Sequence, residues 1–434
     1  MSKVVEVRLW GTVVGYLAYS PGQTDSATFV YDEEFMKSDI QLSPIRMAYP
    51  PKLFTFPDIS RQTFKGLPGI FADSLPDKYG NQLIDIFMAE KKIPPAQVTA
   101  LDRLLYVGTR SMGAFEYHPA EKDDPDYNSE LALDIPLLSE LAEIVLSQKD
   151  DLKLKMQDAS TKKEALNLIR VGSSAGGARA KALVARDSSG KFFDGTVEHE
   201  KGYSYWMVKF DSSENRDRDS NDPKGMTKIE YIYSIIAGQC GINMPETDFI
   251  MDGRSFHFLI KRFDRNEDGK KLHYSSWAGL AHSDRETTGA YSYEQLVLTA
   301  RQLGLGQDDI TELYRRAVFN IIGRNQDDHT KNFGFQMNRA GQWSLSPAFD
   351  MTYSFDPTGK WTKTHQIKLN KKQDGFTLND LLAFGSYCDL SASKAHQIAE
   401  EAIDAFSYFK KLAKQYKVSE TLTNMVTKTM RTDF

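Results

Sequence analysis

Between residues 172 and 350 the chain carries six short segments in an order that few folds can use. A Gly/Ser/Ala segment, GSSAGGARAK (172–181), comes first. A strand-like apolar run, YWMVKF (205–210), carries Lys209 near its end, and Glu230 follows in a stretch with helical spacing at 226–239. A further strand closes on Lys261-Arg262-Phe263. Asp327 is followed five residues later by Asn332, and Asp350 comes after two strand-like segments at 333–337 and 343–347. A glycine-rich loop, a strand lysine, a helix glutamate, an Asp…Asn loop and a later Asp form, in that order, the layout of a kinase-type phosphotransferase.

Each piece alone admits a plainer reading. A short loop with Asp327 and Asn332 can aim a base and a metal ligand at one phosphoryl group, yet polar loops with Asp and Asn are common. Asp350 reads as a metal carboxylate or as a buried helix cap. Gly176, Gly177 and Ala178 let backbone N–H groups approach phosphate closely, and Arg179 or Lys181 can neutralise its charge. That segment matches neither the Walker pattern nor GxGxxG, so by itself it is also compatible with a flexible turn. Lys209 fits a strand-end lysine reaching solvent, and His329 alone fits a hydrogen-bonded loop residue better than a metal ligand. Their common order favours the phosphotransferase reading of all of them.

The remaining pattern predicts an α+β protein with a bilobal, protein-kinase-like or PI3/4-kinase-like fold. Val5, Val7 and Leu9 alternate with polar neighbours and predict a hairpin with residues 13–19. Residues 66–80, rich in Pro, Gly and Asp, read as loop before a helix at 81–92. Residues 120–128 read as a linker, 137–146 as helix, and 211–225 as a mobile polar loop. Strands are expected at 247–251 and 255–262. Ile310, Leu313, Ala317, Val318 and Ile321 mark one apolar helix face, and helices finish the chain. The expected divisions are a β-rich subdomain at 1–120, a nucleotide-binding lobe at 121–265 and a helical lobe at 266–434.

Composition removes other classes. Lys plus Arg number 54 against 59 Asp plus Glu, a net charge of −5, which argues against a free-standing nucleic-acid binder. Cys240 and Cys388 have no partner pattern and read as reduced thiols. No run of about 18 apolar residues would span a membrane, and MSKVVEVRLW lacks the apolar stretch of a signal peptide. A cytoplasmic protein is expected.

With FADSLPDKYG (71–80), LLYVGTRSMGAF (104–115), SSAGGARAKAL (173–183), YWMVKF, KRFDR (261–265), DDHTKNFGF (327–335) and LSPAFDM (345–351), the chain resembles the HipA family. These are serine/threonine kinases, the toxin half of bacterial toxin–antitoxin pairs. The resemblance implies that Asp327 is the general base for a substrate serine and that Asn332 and Asp350 hold Mg²⁺. It implies that Lys181 and Lys209 grip the ATP phosphates over the backbone of Gly176, Gly177, Ala178, Arg179, Ala180 and Lys181; in a kinase layout Glu230 can hold Lys209. Lys261, Arg262 and Phe263 would line the adenine side, with His329 and Lys331 beside the nucleotide.

Ser174 falls at the family's autophosphorylated position, next to Ser173; a phosphate there adds roughly −2 of charge beside a triphosphate and repels it. Asp328 stands where the family often has Gly, which would add a carboxylate near the metal, and Ala180 replaces a residue that is commonly Pro or Glu. The resemblance further implies a separate HipB-like helix-turn-helix antitoxin, operator DNA reached only through it, and a protein substrate such as an aminoacyl-tRNA synthetase. Lys371-Lys372 reads as a solvated pair or as an added phosphate contact in such a complex. A small-molecule or lipid kinase and a non-catalytic pseudokinase co-repressor are the alternatives. The complete set of Lys181, Lys209, Asp327, Asn332 and Asp350 argues against the second.

Overall fold

A computed structural model describes residues 3–119, 129–147, 159–173, 179–212 and 223–434. The linker expected at 120–128, most of the polar loop at 211–225, and Ser174, Gly176, Gly177 and Ala178 lie outside these residues. The chain divides into two compact units. The first holds Met1–Asp217, Leu259–Ser275 and Gln336–Gln342; the second holds Arg218–Phe258, Ser276–Phe335 and Trp343–Phe434.

In the first unit, period-two alternation does what strand geometry dictates. Val5, Val7 and Leu9 are buried on one face of β1 (Val4–Leu9), which pairs antiparallel with β2 (Thr12–Tyr19) through a bulge between Val7 and Arg8. With β3 (Ala27–Tyr31), β4 (Leu53–Thr55) and β5 (Phe115–His118) they form a sheet ordered β4-β3-β2-β1-β5. An aromatic chain packs beneath it. Ring centroids lie 4.6 Å apart for Phe29–Phe71, 5.2 Å for Phe71–Phe115 and 4.5 Å for Phe115–His273. His273 is fully covered, and burial pushes its pKa down to about 3, so it stays neutral.

Two local expectations fail here. The stretch 66–80 is not all loop: Gly69–Ala72 is a helical turn with Ile70 and Phe71 buried, and the next helix, Lys78–Glu90, starts three residues early. Core packing outweighs the Pro/Gly punctuation. A helix at Ala100–Val107, not expected from periodicity, opens on a capping box between Thr99 and Asp102.

A second sheet contains β6 (Lys181–Arg186), β7 (Phe192–Asp194), β8 (Ser204–Lys209), β9 (Thr247–Asp252) and β10 (Ser255–Lys261), ordered β7-β6-β8-β10-β9. The unit boundary falls inside β10. Three short strands, β11 (His273–Ser276), β12 (Gly334–Met337) and β13 (Trp343–Leu345), make a third sheet.

The second unit is mainly helical. The expected face of the helix Gln307–Ile322 is buried from Ile310 to Ile321. Phe319 on that helix packs 4.8 Å from Phe406 of the helix Ala392–Ser407, and Phe406 lies 5.3 Å from Tyr233 of the helix Met226–Gln239. Three helices thus share one core. Both cysteines are free and buried, and burial pushes each thiol up to about 12, which keeps them protonated. Among the described residues no helix is long and apolar enough to cross a membrane.

Candidate active site

The first unit presents the basic groups. Strands β6 and β8 are antiparallel, and their register sets Lys181 opposite Lys209. Directly opposed residues share a face of the sheet, and like charges so placed repel unless negative charge answers them. Both lysines are buried, at 4% and 6% exposure. The Phe210 N–H donates to the Ala180 carbonyl at 3.0 Å and extends the ladder past the lysine rung. Arg179 is half-buried. Just upstream, Ser173 is fully buried and its Oγ donates to the Arg170 carbonyl. Arg170 in turn pairs with Asp194 at 2.6 Å. A Cβ at Gly80 would stand 3.0 Å from the Ser173 carbonyl oxygen, so the FADSLPDKYG segment packs closely against the end of the helix Ala159–Gly172.

Lys261, Arg262 and Phe263 lie at and beyond the end of β10. The Arg262 N–H donates to the Tyr205 carbonyl at 2.8 Å, and the Phe263 carbonyl accepts from Gln336 at 2.7 Å. The Arg262 guanidinium turns inward. It grips Asp264 through two bonds of 2.8 and 2.7 Å and reaches the Gly195 carbonyl at 2.6 Å. Burial alone would raise the Asp264 pKa, but Arg262, Arg265 and the Gly113 N–H together hold it below its ordinary value. Gly113 has φ +73°, and a Cβ there would stand 3.0 Å from the Tyr274 nitrogen. The position requires glycine on both counts. This explains why SMGAF, far upstream, belongs with KRFDR.

The second unit presents the acidic groups. The helix Gln307–Ile322 ends at Gly323, and the chain turns through Arg324 at φ +55° into Asn325–Asn332. Asp327 is half-buried, and its carbonyl accepts from Asn332 Nδ2 at 2.7 Å. With Nδ2 engaged in that bond, the amide oxygen is the Asn332 atom that could take a cation. The Asn332 N–H also donates to the His329 carbonyl at 2.9 Å, so the loop closes on itself. Asp350 adopts φ +53°, a left-handed conformation that costs a non-Gly residue on the order of 1 kcal/mol.

One buried network joins these two places. The Asn325 side-chain amide donates to the Asp350 carbonyl at 3.2 Å and to Asn320 Oδ1 at 2.9 Å. Asn320 Nδ2 donates to the Tyr293 hydroxyl at 3.1 Å, and that hydroxyl donates to Asp328 at 2.7 Å. Burial first, and Asp328 second, push the Tyr293 phenol well above its ordinary pKa, which keeps it a donor. The expectation that Asp328 adds a carboxylate near a metal is corrected here. Its side chain is fully buried and accepts from Tyr293, His365 Nδ1 at 2.8 Å and the Gln366 N–H at 2.8 Å. Asp328 anchors the loop.

The other expected residues of this unit are placed as follows. His329 is half-buried, and its Nδ1 is buried without a hydrogen-bond partner among the described residues. Lys331 is half-buried, and Glu230 is 3% exposed on the helix Met226–Gln239. Lys372 is committed to Asp380 at 2.7 Å, while Lys371 is exposed at φ +66°. Asn320, Asn325, Tyr293, His365 and Arg431 were not foreseen. Of the network only Asp328 carried a signal in the sequence, through its place beside Asp327. Among the described residues no group of three or more His, Cys, Asp or Glu side chains could hold a metal ion. Asn332 and Asp350 would therefore need ligand oxygens to complete a coordination shell.

Comparison with known proteins identifies a family and a fold. Residues 5–118 match the HipA N-terminal domain, and residues 173–408 match the HipA-like C-terminal domain. A Sinorhizobium fredii (strain NBRC 101917 / NGR234) protein provisionally named kinase Y4dM is 23% identical over 421 residues, covering 93% of this chain and 90% of that one. A Haemophilus influenzae protein, provisionally named a kinase, is 28% identical over 141 residues, 29% of this chain and 40% of its own length. In fold, a chain of the Shewanella oneidensis MR-1 toxin–antitoxin complex of HipA, HipB and operator DNA superposes with a TM-score of 0.63. That match has 17% identity and covers 98% of this chain and 94% of the other. The two matched domains together take in both the lysine rung and the acidic loop, and the chain belongs to the HipA family, with the kinase-like fold of HipA.

Proposed function

We propose that this chain is an ATP- and Mg²⁺-dependent kinase that phosphorylates serine on a protein. The observation that carries the reading is the buried network between the Asp327 loop and the Asp350 backbone, with Asp350 kept at an unfavourable φ. Strain of that kind persists where surrounding structure over-determines it, and it clusters at functional sites. Carboxylate and amide oxygens from Asp350 and Asn332 are the donors Mg²⁺ takes, usually in company with substrate phosphates. The opposed Lys181 and Lys209 suit an anion.

In this mechanism Asp327 accepts the proton of the attacking serine hydroxyl. Asn332 and Asp350 hold the metal, which when bound neutralises charge on the transferred phosphoryl group. Lys181 and Lys209 orient the ATP phosphates, the 176–181 backbone cradles them, and Glu230 has the structural role of a kinase helix glutamate. Lys261, Arg262 and Phe263 border the adenine, and His329 and Lys331 lie beside the nucleotide. Since phosphoryl transfer asks little covalent chemistry of the protein, these residues act by position and charge.

Family membership supports three finer expectations. Ser174 is autophosphorylated and switches the enzyme off, a choice favoured over Ser173 by the latter's complete burial. A HipB-like antitoxin, a separate helix-turn-helix protein, neutralises the chain and brings it to operator DNA. The substrate is a translation component such as an aminoacyl-tRNA synthetase. Three functional regions, 1–120, 121–265 and 266–434, belong to the same reading.

The test is transfer of ³²P from labelled ATP to protein serine by the purified chain with Mg²⁺, followed by phosphoproteomic comparison of cells expressing wild type and Asp327→Asn. Label retained by Asp327→Asn, or found only on small molecules, rejects the reading. Intact-mass measurement of wild type and Ser174→Ala after incubation with ATP checks the switch residue.

A further inference from the structure

We propose that Arg431 and His365 form a buried positioning relay that sets the aim of the catalytic loop through Asp328. The inference rests on the reading of Asp327 as the base, because Asp328 is its immediate neighbour.

The relay has defined donors and acceptors. An Arg431 guanidinium N–H faces His365 Nε2 at 3.1 Å. Arginine only donates, so Nε2 is the accepting nitrogen and the imidazole carries its proton on Nδ1. Nδ1 then donates to Asp328 Oδ2 at 2.8 Å. Asp328 and His365 side chains are both fully buried, and the edge of the His365 ring contacts Phe376. Two further donors, the Tyr293 hydroxyl and the Gln366 N–H, complete the Asp328 shell.

Arg431 also holds the other end of the same segment. Its guanidinium donates to the Ile321 carbonyl at 2.8 Å, and its backbone N–H donates to the Ile322 carbonyl at 3.0 Å. These carbonyls end the helix Gln307–Ile322, where four acceptors lack intrahelical partners. The remaining guanidinium branch pairs with Asp374. One side chain about a hundred positions downstream therefore fixes both the helix end that launches the loop and the residue beside its base. The Asp328 carboxylate faces His365, Tyr293 and Gln366 inside the core, so it anchors the loop and does not ligate. Asp327 keeps its own exposure while its neighbour is locked.

Side chains that act only by filling the core would change stability alone; a positioning relay changes kcat. In the full chain, His365→Phe removes both nitrogens, Arg431→Gln removes the charged fork, and His365→Asn keeps a donor near the Nδ1 position. For His365→Phe and Arg431→Gln we expect kcat to fall about 10- to 100-fold with KM for ATP within about threefold. Amide hydrogen exchange over 326–332 should accelerate about tenfold, with exchange over 181–186 and 204–209 unchanged. His365→Asn should recover kcat to within about threefold of wild type.

Unchanged exchange over 326–332 in both disruptive variants overturns the relay. So does faster exchange with an unaltered kcat. If the wild type transfers no phosphate, the kinase reading fails separately, and the exchange measurement still decides whether the relay holds the loop. If His365→Phe does not fold, Arg431→Gln carries the same two measurements.

Discussion

The lysine rung of the first unit and the acidic loop of the second are held by different kinds of bond. Lys181 and Lys209 owe their places to a backbone ladder, six register pairs between β6 and β8 that would form with many side chains. Asp327 and Asp350 owe theirs to side chains: Asn320, Asn325, Tyr293, Asp328, His365 and Arg431. A ladder tolerates substitution because its bonds are carried by the main chain. A buried side-chain network does not, because removing one member leaves its partners desolvated and unpaired. The acidic loop should therefore be the more fragile place chemically, and the rung the more robust.

The sharpest test of that contrast is at the chemistry itself. Asp327→Asn should lower phosphate transfer by about 10⁴-fold while the chain still folds, since the substitution is nearly isosteric and the loop-closing bond from Asn332 uses the backbone carbonyl. Initial-rate assays beside a thermal melt would show it. Next comes the first unit's own exception to ladder control, the fully buried Arg262–Asp264 pair. Asp264→Ala should cost about 3–5 kcal/mol in urea unfolding, because it strands the guanidinium and the Gly113 N–H. An effect under about 1 kcal/mol would mean that the pair adds little and that the ladder alone sets this region.

Lys181→Met should reduce kcat/KM for ATP by about 100-fold while costing less stability than Asp264→Ala, since its backbone ladder bonds remain. Collapse of the fold instead would break the contrast. The smallest effect concerns pH. His273 has a folded pKa of about 3 against an ordinary 6.5. Between those values the unfolded state binds the extra proton, so stability rises with pH and is lost as pH falls. The slope should approach about 1.4 kcal/mol per pH unit well inside the window. His273→Phe, measured by urea unfolding at pH 5 and pH 7, should flatten it.

Wherever a periodic pattern coincided with a regular element, the sequence was readable. The face of Gln307–Ile322, the helix Met226–Gln239, the strand pair β9 and β10 and the alternation in β1 all follow from the spacing of apolar residues. Short elements were not. Leu53–Thr55 and Gly69–Ala72 are too brief to show a period, and tertiary contacts decide them. The capping box of Thr99 and Asp102 was a local signal for Ala100–Val107 that periodicity alone passed over.

For the site, the order of Lys181, Lys209, Glu230, Asp327, Asn332 and Asp350 could be written down from the chain alone, because phosphotransferase chemistry needs those residue types and local spacing carries them. The role of Asp328 could not: beside Asp327 it reads as another ligand, and only its enclosure by Tyr293, His365 and Gln366 makes it an anchor. Arg431 lies in no motif, and nothing near it in sequence hints at Ile321 or His365. Local sequence determines which groups are available and how backbone hydrogen bonds repeat. Burial and long-range hydrogen bonding depend on which distant segments meet, and that is decided when the core closes.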